Sequence, residues 1–282
     1  GEFVEEGLVG YYGSERVGLR YRVIGERREG EVRVVEVGYE VVGVPEVVGR
    51  TLVIDPVLQW GTYFGGGGEE YAYSVAVDGG GNVFTVGYTN SSTGFPLQDP
   101  PGTNDYYDGS YNGGTYDAFI AKFSGSTLGL LWSTYFGGGG WDEARSVAVD
   151  GSGNIFVVGY TSSSTGFPLQ DPPGTNDYYD GSYNGGTYDA FIAKFSGSTL
   201  GLLWSTYFGG GGDEAANSVV VDGSGDVFVA GFTGSSTGFP LQDPPGTNDY
   251  YDGSYNGGTY DAFIAKFSGS TLGLLWSTYF GG

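Results

Sequence analysis

From Glu69 onward the chain repeats itself every 72 residues, in units 69–140, 141–212 and 213–282. Ser91–Gly140 and Ser163–Gly212 are identical over 50 positions, and Ser235–Gly282 matches them to the end. A unit copied this closely buries its apolar side chains chiefly against other copies of itself. The repeat therefore restricts the chain to architectures that stack one supersecondary element. In the second unit the runs are SVAVD (146–150), NIFVVGYT (154–161), DAFIAKF (189–195) and LLWSTYF (202–208). They are rich in β-branched and aromatic residues, and clusters of Gly, Ser and Asp separate them. No helical period of useful length appears. Four runs per unit predict one four-stranded antiparallel sheet per unit, the blade of a β-propeller.

Residues 1–59 differ in composition, with seven of the 11 basic residues. The runs GLRYRVIG (18–25), EVRVVEVGYEVVG (31–43) and TLVIDP (51–56) alternate Val with Glu and Arg. They predict a small antiparallel β module, acting as a cap or as a strand donor. The predicted fold class is thus all-β. Three propeller-like blades occupy 60–282 behind an N-terminal module at 1–59. The fourth-strand motif occurs four times, as WGTYF at 60–64 and WSTYF at 132–136, 204–208 and 276–280. The other strands occur three times, so 60–64 is expected to be a surplus lead-in strand. Such a strand either completes a blade or is offered to another molecule. Closed propellers have four to eight blades, and three leave faces and strand edges uncovered. The chain is then part of a larger set of blades, an open stack, or a unit joined head to tail to its copies.

Charge and composition exclude several classes. The 282 residues carry 33 acids against 11 bases, a net charge of −22. That excludes nucleic acid as a partner and disfavours anionic membranes. No apolar run approaches the ~20 residues of a spanning helix, so no membrane insertion is expected. There is no Cys, Met or His. Disulfides, a Ser-His-Asp triad and Cys/His zinc sites are therefore out of reach. The Glu/Arg/Val-rich start and the lack of Cys and Met are compatible with a hot habitat.

The pattern SVAVDGSGNIFVVGYT … FP … GGTYDAFIAKF … LLWSTYFGG is similar to the bacterial β-propeller repeat family known as SBBP. The lead-in TLVIDPVLQWGTYFGG (51–66) resembles the segment before the first blade of such proteins. The resemblance covers about residues 50–282. It implies a secreted or cell-surface protein, and a repeat scaffold without a defined active site.

Three features are candidate sites. The first is the turn read as DGGGN (78–82), DGSGN (150–154) and DGSGD (222–226). Asp150, Ser152 and Asn154, with Asp222, Ser224 and Asp226, have the alternation of a calcium loop. The same letters also spell a β-hairpin turn. The second is the acid pairs Glu69/Glu70, Asp142/Glu143 and Asp213/Glu214. Paired carboxylates serve glycosidases, but recurrence in every unit argues against a single active site, and neighbours on a strand face opposite ways. These pairs are expected in a solvated loop ahead of the inner strand, and no enzyme is expected.

The third is the long loop between strands two and three, at 90–116, 162–188 and 234–260. It should share one end of the molecule with the GGGG-acid loops. Its copies carry Asp105, Tyr106, Tyr107, Asp108 and Tyr111, then Asp177, Tyr178, Tyr179, Asp180 and Tyr183, then Asp249, Tyr250, Tyr251, Asp252 and Tyr255. Dense carboxylates suit calcium, the only cofactor this chain suggests. Tyr beside Asp suits a sugar, and the same tyrosines would also pack the loop onto its blade, a neighbouring blade or a second subunit. The expected function is an extracellular structural protein that self-associates through strand pairing and aromatic packing into a filament, appendage or surface assembly. A multivalent polysaccharide-binding adhesin, aided by calcium, is the rival, and a glycan-acting enzyme comes last.

Overall fold

A computed structural model describes residues 60–281 except 247 and, by backbone alone, four strands between residues 9 and 54. The chain divides into two compact units, Gly1–Thr62 and Tyr63–Gly282. In the first, β1 (Val9–Tyr12), β2 (Glu15–Glu29), β3 (Val32–Val42) and β4 (Leu52–Ile54) form one antiparallel sheet in the order β3-β2-β1-β4. Strand β1, VGYY, is too short to show an alternation and was not expected from the sequence.

The second unit contains three blades. They are β5 (Glu70–Val77) to β8 (Leu130–Phe136), β9 (Asp142–Val149) to β12 (Leu202–Phe208), and β13 (Glu214–Val221) to β16 (Leu274–Phe280). The middle strands are β6 (Val83–Thr89), β7 (Asp117–Phe123), β10 (Ile155–Thr161), β11 (Asp189–Phe195), β14 (Val227–Thr233) and β15 (Asp261–Phe267). Each blade pairs its strands antiparallel in chain order, as the motif pattern predicts. Strand β10 is buried along its whole length, which explains its continuous apolar run IFVVGYT. Among the described residues no helix is long and apolar enough to cross a membrane.

The first strand begins earlier than SVAVD suggested, at Asp142, and a bulge makes this extension fit. The β9–β10 register shifts between Val158 and Gly159. A Cβ at Gly159 would lie 1.8 Å from the Glu143 carbonyl oxygen, so only glycine fits there.

The blades stack as wedges. Strand β5 adjoins β9 and β9 adjoins β13, and β9 and β13 also adjoin the middle strands of the preceding blade. Between the first two blades, Phe84, Val86, Ile120, Trp132 and Phe136 meet Val147, Ile155, Val157, Phe191 and Phe195. The equivalent set, 72 residues on, joins the second blade to the third. Each such aromatic or aliphatic side chain contributes roughly 1.5–3 kcal/mol on burial.

Residues 60–64, expected as a lead-in strand, do not form one. A fourth strand pairs with the third strand of its own blade, as Trp204 pairs with Lys194. No DAFIAKF run precedes residue 60 to receive this segment.

The same phenylalanine is fully buried at Phe208, inside a junction, but 57% exposed at Phe280. Phe208→Ala should therefore cost about 3–5 kcal/mol, and Phe280→Ala less than about 1 kcal/mol, in urea melts of the isolated chain.

Candidate functional site

Each blade junction is built around one aromatic plug. Phe136, the last residue of β8, sits among Phe167, Phe191 and Phe195 of the next blade, with ring centroids at 5.3, 5.6 and 5.5 Å. Phe208 repeats this with Phe239, Phe263 and Phe267 at 5.2, 5.5 and 5.5 Å. The edge-to-face and tilted geometries suit ring quadrupoles and add to the burial gain. Phe64 fills the equivalent slot of the first blade, 5.3 Å from Phe95, 5.7 Å from Phe119 and 5.4 Å from Phe123. It does so although residues 60–64 are not a strand.

The long loop covers the outer edge of its own blade. Gln98 and Ser133 exchange backbone hydrogen bonds of 3.1 and 3.0 Å. The Tyr135 N–H donates to the Asp108 carbonyl at 3.1 Å, and the Trp132 indole N–H donates to the Tyr106 carbonyl at 2.9 Å. Gln170 and Gln242 occupy the same edge in the other two blades. Self-association by strand pairing was expected, yet the outer edges of all three blades are already occupied by their own loops. This answers the usual hazard of an exposed edge strand.

The loop then straps its blade to the next. The Tyr106 N–H donates to the Leu200 carbonyl at 3.1 Å. The Tyr106 ring lies 5.5 Å from Phe136 and 5.8 Å from Phe195, one on each blade. Leu200 has φ 60° and is buried. This left-handed conformation is unfavourable for a leucine and is held here by the strap. A Cβ at the adjacent Gly201 would fall 2.2 Å from the Asn104 carbonyl oxygen, so the strap also requires that glycine. Tyr178 repeats the contact with Leu272, while the Tyr250 ring lies 5.7 Å from Phe280 of its own blade and is exposed.

The other loop residues serve the loop itself. Asp108 accepts from Ser110 N at 3.0 Å and Asn112 Nδ2 at 2.8 Å, and Asp180 and Asp252 do the same. The Tyr111, Tyr183 and Tyr255 rings lie edge-on to Tyr135, Tyr207 and Tyr279. Tyr107, Tyr179 and Tyr251 are exposed and lie over Gly109, Gly181 and Gly253. Asp105 and Asp177 each bury an Oδ2 that has no hydrogen-bond partner, and Asp249 is exposed. The loop ends where expected, beside the GGGG-acid turn, with Asp142 N donating to the Tyr116 carbonyl at 2.8 Å.

At the DGSGN turn the Asp150 carboxylate accepts from Ser152 N, Asn154 N and Asn154 Nδ2, each at 2.8 Å. Asp222 accepts from Ser224 N and Asp226 N at 2.8 and 3.0 Å. Asp226 pairs with Lys266 at 2.8 Å. These are the bonds of an Asx-type hairpin turn. Among the described residues no three acidic side chains gather to hold a metal ion.

The acid pairs divide: Glu69 is exposed and Asp213 half-buried in the turn ahead of the strand, as expected, while Glu70 begins its strand half-buried. Asp142, Glu143 and Glu214 are buried within their strands. Asp142 accepts from Gly138 N at 2.9 Å, from Ser163 Oγ at 3.0 Å, and from Thr161 Oγ1. Glu214 accepts from Gly210 N at 3.0 Å. The glycine turn buries N–H groups that need acceptors, and the first acid of the strand supplies one. Glu143 faces elsewhere, paired with Arg145 at 2.7 Å.

A cleft of about 430 Å³ lies between the strap of the first blade and the hairpin of the second, lined by Pro100, Pro101, Asn104, Lys122, Leu131 and Thr199. Its copy of about 420 Å³ contains Lys194. Lys122 and Lys194 lie over the rings of Phe84 and Phe156, each 5.0 Å from the centroid.

Four-stranded sheets, stacked along their inner strands by a recurring aromatic plug, define a repeat protein of the β-propeller class. The sequence profile of the family SBBP, described as Beta-propeller repeat, matches residues 59–96, 131–168 and 203–240. The chain thus carries three copies of that family's repeat. Each matched segment holds one plug and the first ring of its slot: Phe64 with Phe95, Phe136 with Phe167, Phe208 with Phe239. No curated protein matches the chain.

Each junction also buries an acid without full compensation. Asp117 Oδ2 accepts from Asn112 N at 2.5 Å, but its Oδ1 has no hydrogen-bond partner. Burial pushes its carboxyl up to about 8 from the ordinary 3.8, and that of Asp189 up to about 7. A raised folded value means the folded chain holds a proton that the unfolded chain releases. Stability from these groups therefore falls as pH rises from about 4 to about 8. Asp117→Asn should melt higher than wild type at pH ~9, with the gap closing towards pH ~4, in a pH series of thermal melts.

Proposed function

We propose that this is an extracellular structural repeat protein that self-associates by stacking the third blade of one copy on the first blade of another. The single observation that carries this reading is the apolar surface that, among the described residues, the first and third blades expose. It matches the two halves of the interface that the chain already uses twice internally. On the first blade, Tyr71, Tyr73, Val75 and Val77 are exposed, where the equivalent Glu143 and Val147 of the second blade are buried. On the third blade, Phe280 is exposed and Ile264 and Trp276 are only half-buried, where Phe208, Ile192 and Trp204 are fully buried. Placement outside the cell rests on the family resemblance.

Aromatic face packing drives this association, not edge pairing. Its product is a surface assembly, an appendage or a finite particle. At a net charge of −22 the copies repel, and salt screens that repulsion. Light scattering should therefore show masses above the 29.6 kDa chain, rising with salt between about 0.01 and 0.5 M. A single monomer mass at every salt and protein concentration would sink the reading.

A second reading, polysaccharide binding, draws on the two lysine-lined clefts and on exposed Tyr107 and Tyr179. Prolines and leucines would meet a sugar's apolar face, and the ammonium would favour an acidic saccharide. Calcium enters this reading as an aid to the sugar. A glycan array with and without chelator tests it, and no binding in either state removes it.

A further inference from the structure

The three units differ most sharply in chemistry around the start of their first strands. Glu69, Trp141 and Asp213 are equivalent, as are Tyr71, Glu143 and Ala215, and Tyr73, Arg145 and Asn217. A hydroxyl goes with the charges, because Tyr160 of the second unit is Phe232 in the third. Free drift would collect on exposed positions, yet Glu143 is 2% exposed and Tyr160 7%. In the second unit these residues meet in one cluster, against Tyr73 of the first blade.

The Arg145 guanidinium is the centre of the cluster. It lies between two rings, 4.4 Å from the Tyr73 centroid and 5.1 Å from that of Tyr160. It pairs with Glu143 at 2.7 Å and donates to the Tyr160 hydroxyl at 3.3 Å. The other Glu143 oxygen accepts from the Trp141 indole N–H at 2.7 Å. The Trp141 backbone is fixed as well. Its N–H donates to Ser162 Oγ at 2.6 Å, and its carbonyl accepts from the Ser162 N–H at 2.8 Å.

These bonds hold Trp141 by its backbone and by the edge of its indole, and the side chain is still 41% exposed. The rings beside it, Tyr116 at 5.6 Å and Tyr160 at 6.1 Å, are inclined to it by 56° and 61°, so neither is stacked on the indole. A blade does not need tryptophan here, since the units with Glu69 and Asp213 form the same four-stranded sheet. An open ring that is already immobilised gives up little entropy when something stacks on it.

The surroundings set what can stack. Arg145 is engaged by Glu143 and by two tyrosines. The Tyr116 hydroxyl donates to the exposed Glu69 carboxylate at 3.2 Å. The border of the indole therefore offers hydroxyl and carboxylate oxygens. A sugar ring has C–H groups on its face and hydroxyl donors at its edge, and it suits both. An acidic sugar would meet Glu69 and a chain of net charge −22.

Resting on the polysaccharide reading above, we propose that Trp141 is a stacking platform for one ring of a neutral polysaccharide, outside the lysine-lined clefts. Glu69 and Tyr116 take hydroxyls at the edge of that ring, and the Glu143–Arg145 pair positions the indole.

The test is calorimetric titration and tryptophan fluorescence of the full chain with gluco-, manno- and xylo-configured neutral hexasaccharides and with one hexauronate. At least one neutral probe should bind and shift the tryptophan emission, and the hexauronate should bind at least about tenfold more weakly. Trp141→Asp introduces the residue type that the third unit carries at Asp213, so it should melt like wild type while affinity falls at least about tenfold. Trp141→Phe keeps a ring and should lose less affinity, but its emission should no longer respond. The double variant Lys122→Ala/Lys194→Ala should bind like wild type. Neutral binding that survives Trp141→Asp and disappears with the two lysines would overturn the platform and leave the polysaccharide reading standing. Preference for the hexauronate would overturn the neutral class. No binding of any probe would overturn both readings. If Trp141→Asp does not fold, a folded Trp141→Phe chain whose emission still shifts as the wild type's does refutes the platform.

Discussion

The stacking of this protein depends on a phenylalanine at the end of one blade, pressed into three aromatic rings of the next. The plug is followed directly by four glycines, and its burial carries the first two of them into the junction. Buried N–H groups must be met by acceptors, which is why Asp142 and Glu214 lie inside at the start of the following strand. Packing, turn and carboxylate are one device. An acid in this position has a polar duty to the glycine turn, and this duty recurs with the repeat.

The long loop solves two problems with one segment. A blade needs its outer edge closed, and neighbouring blades need tying together at their rims, where the wedge opens. The loop lies along the fourth strand and ends its crossing with Tyr106, whose ring touches both blades. Its composition follows from this. Asp108 and Asn112 knit a turn that has no regular backbone pairing, and the tyrosines supply area while keeping a hydroxyl for the wet side. The left-handed leucine of the receiving hairpin is the strained counterpart of that strap.

Much of the blade was legible because its strands alternate or run apolar for seven residues between Gly- and Asp-rich turns. DAFIAKF and LLWSTYF were found at their true limits. The start of β9 was not, because Asp142 and Glu143 read as solvent-facing until the Gly138 N–H and the Arg145 side chain that they serve are seen. WGTYF was readable as a fourth copy of a motif, but not as a plug without a strand, since the missing partner strand is a fact of pairing. The strap was hidden for a different reason. Tyr106 and Leu200 are joined across 94 positions of sequence, and Leu200 sits at a backbone angle that its side chain does not advertise. Tyr and Asp in a long loop suggested ligands, where most of them serve the loop and its neighbours.

In every junction the plug comes before its slot in the sequence. Phe64 precedes Phe95, Phe119 and Phe123, and Phe136 and Phe208 precede theirs in turn. A ribosome delivers the chain in that order, and domains and repeats fold as they emerge. Each blade therefore leaves the exit tunnel with the ring that will fill its slot already made. No nascent blade has to wait, with an empty aromatic slot, for a residue not yet synthesised. Folding gains a direction, from the first blade to the third.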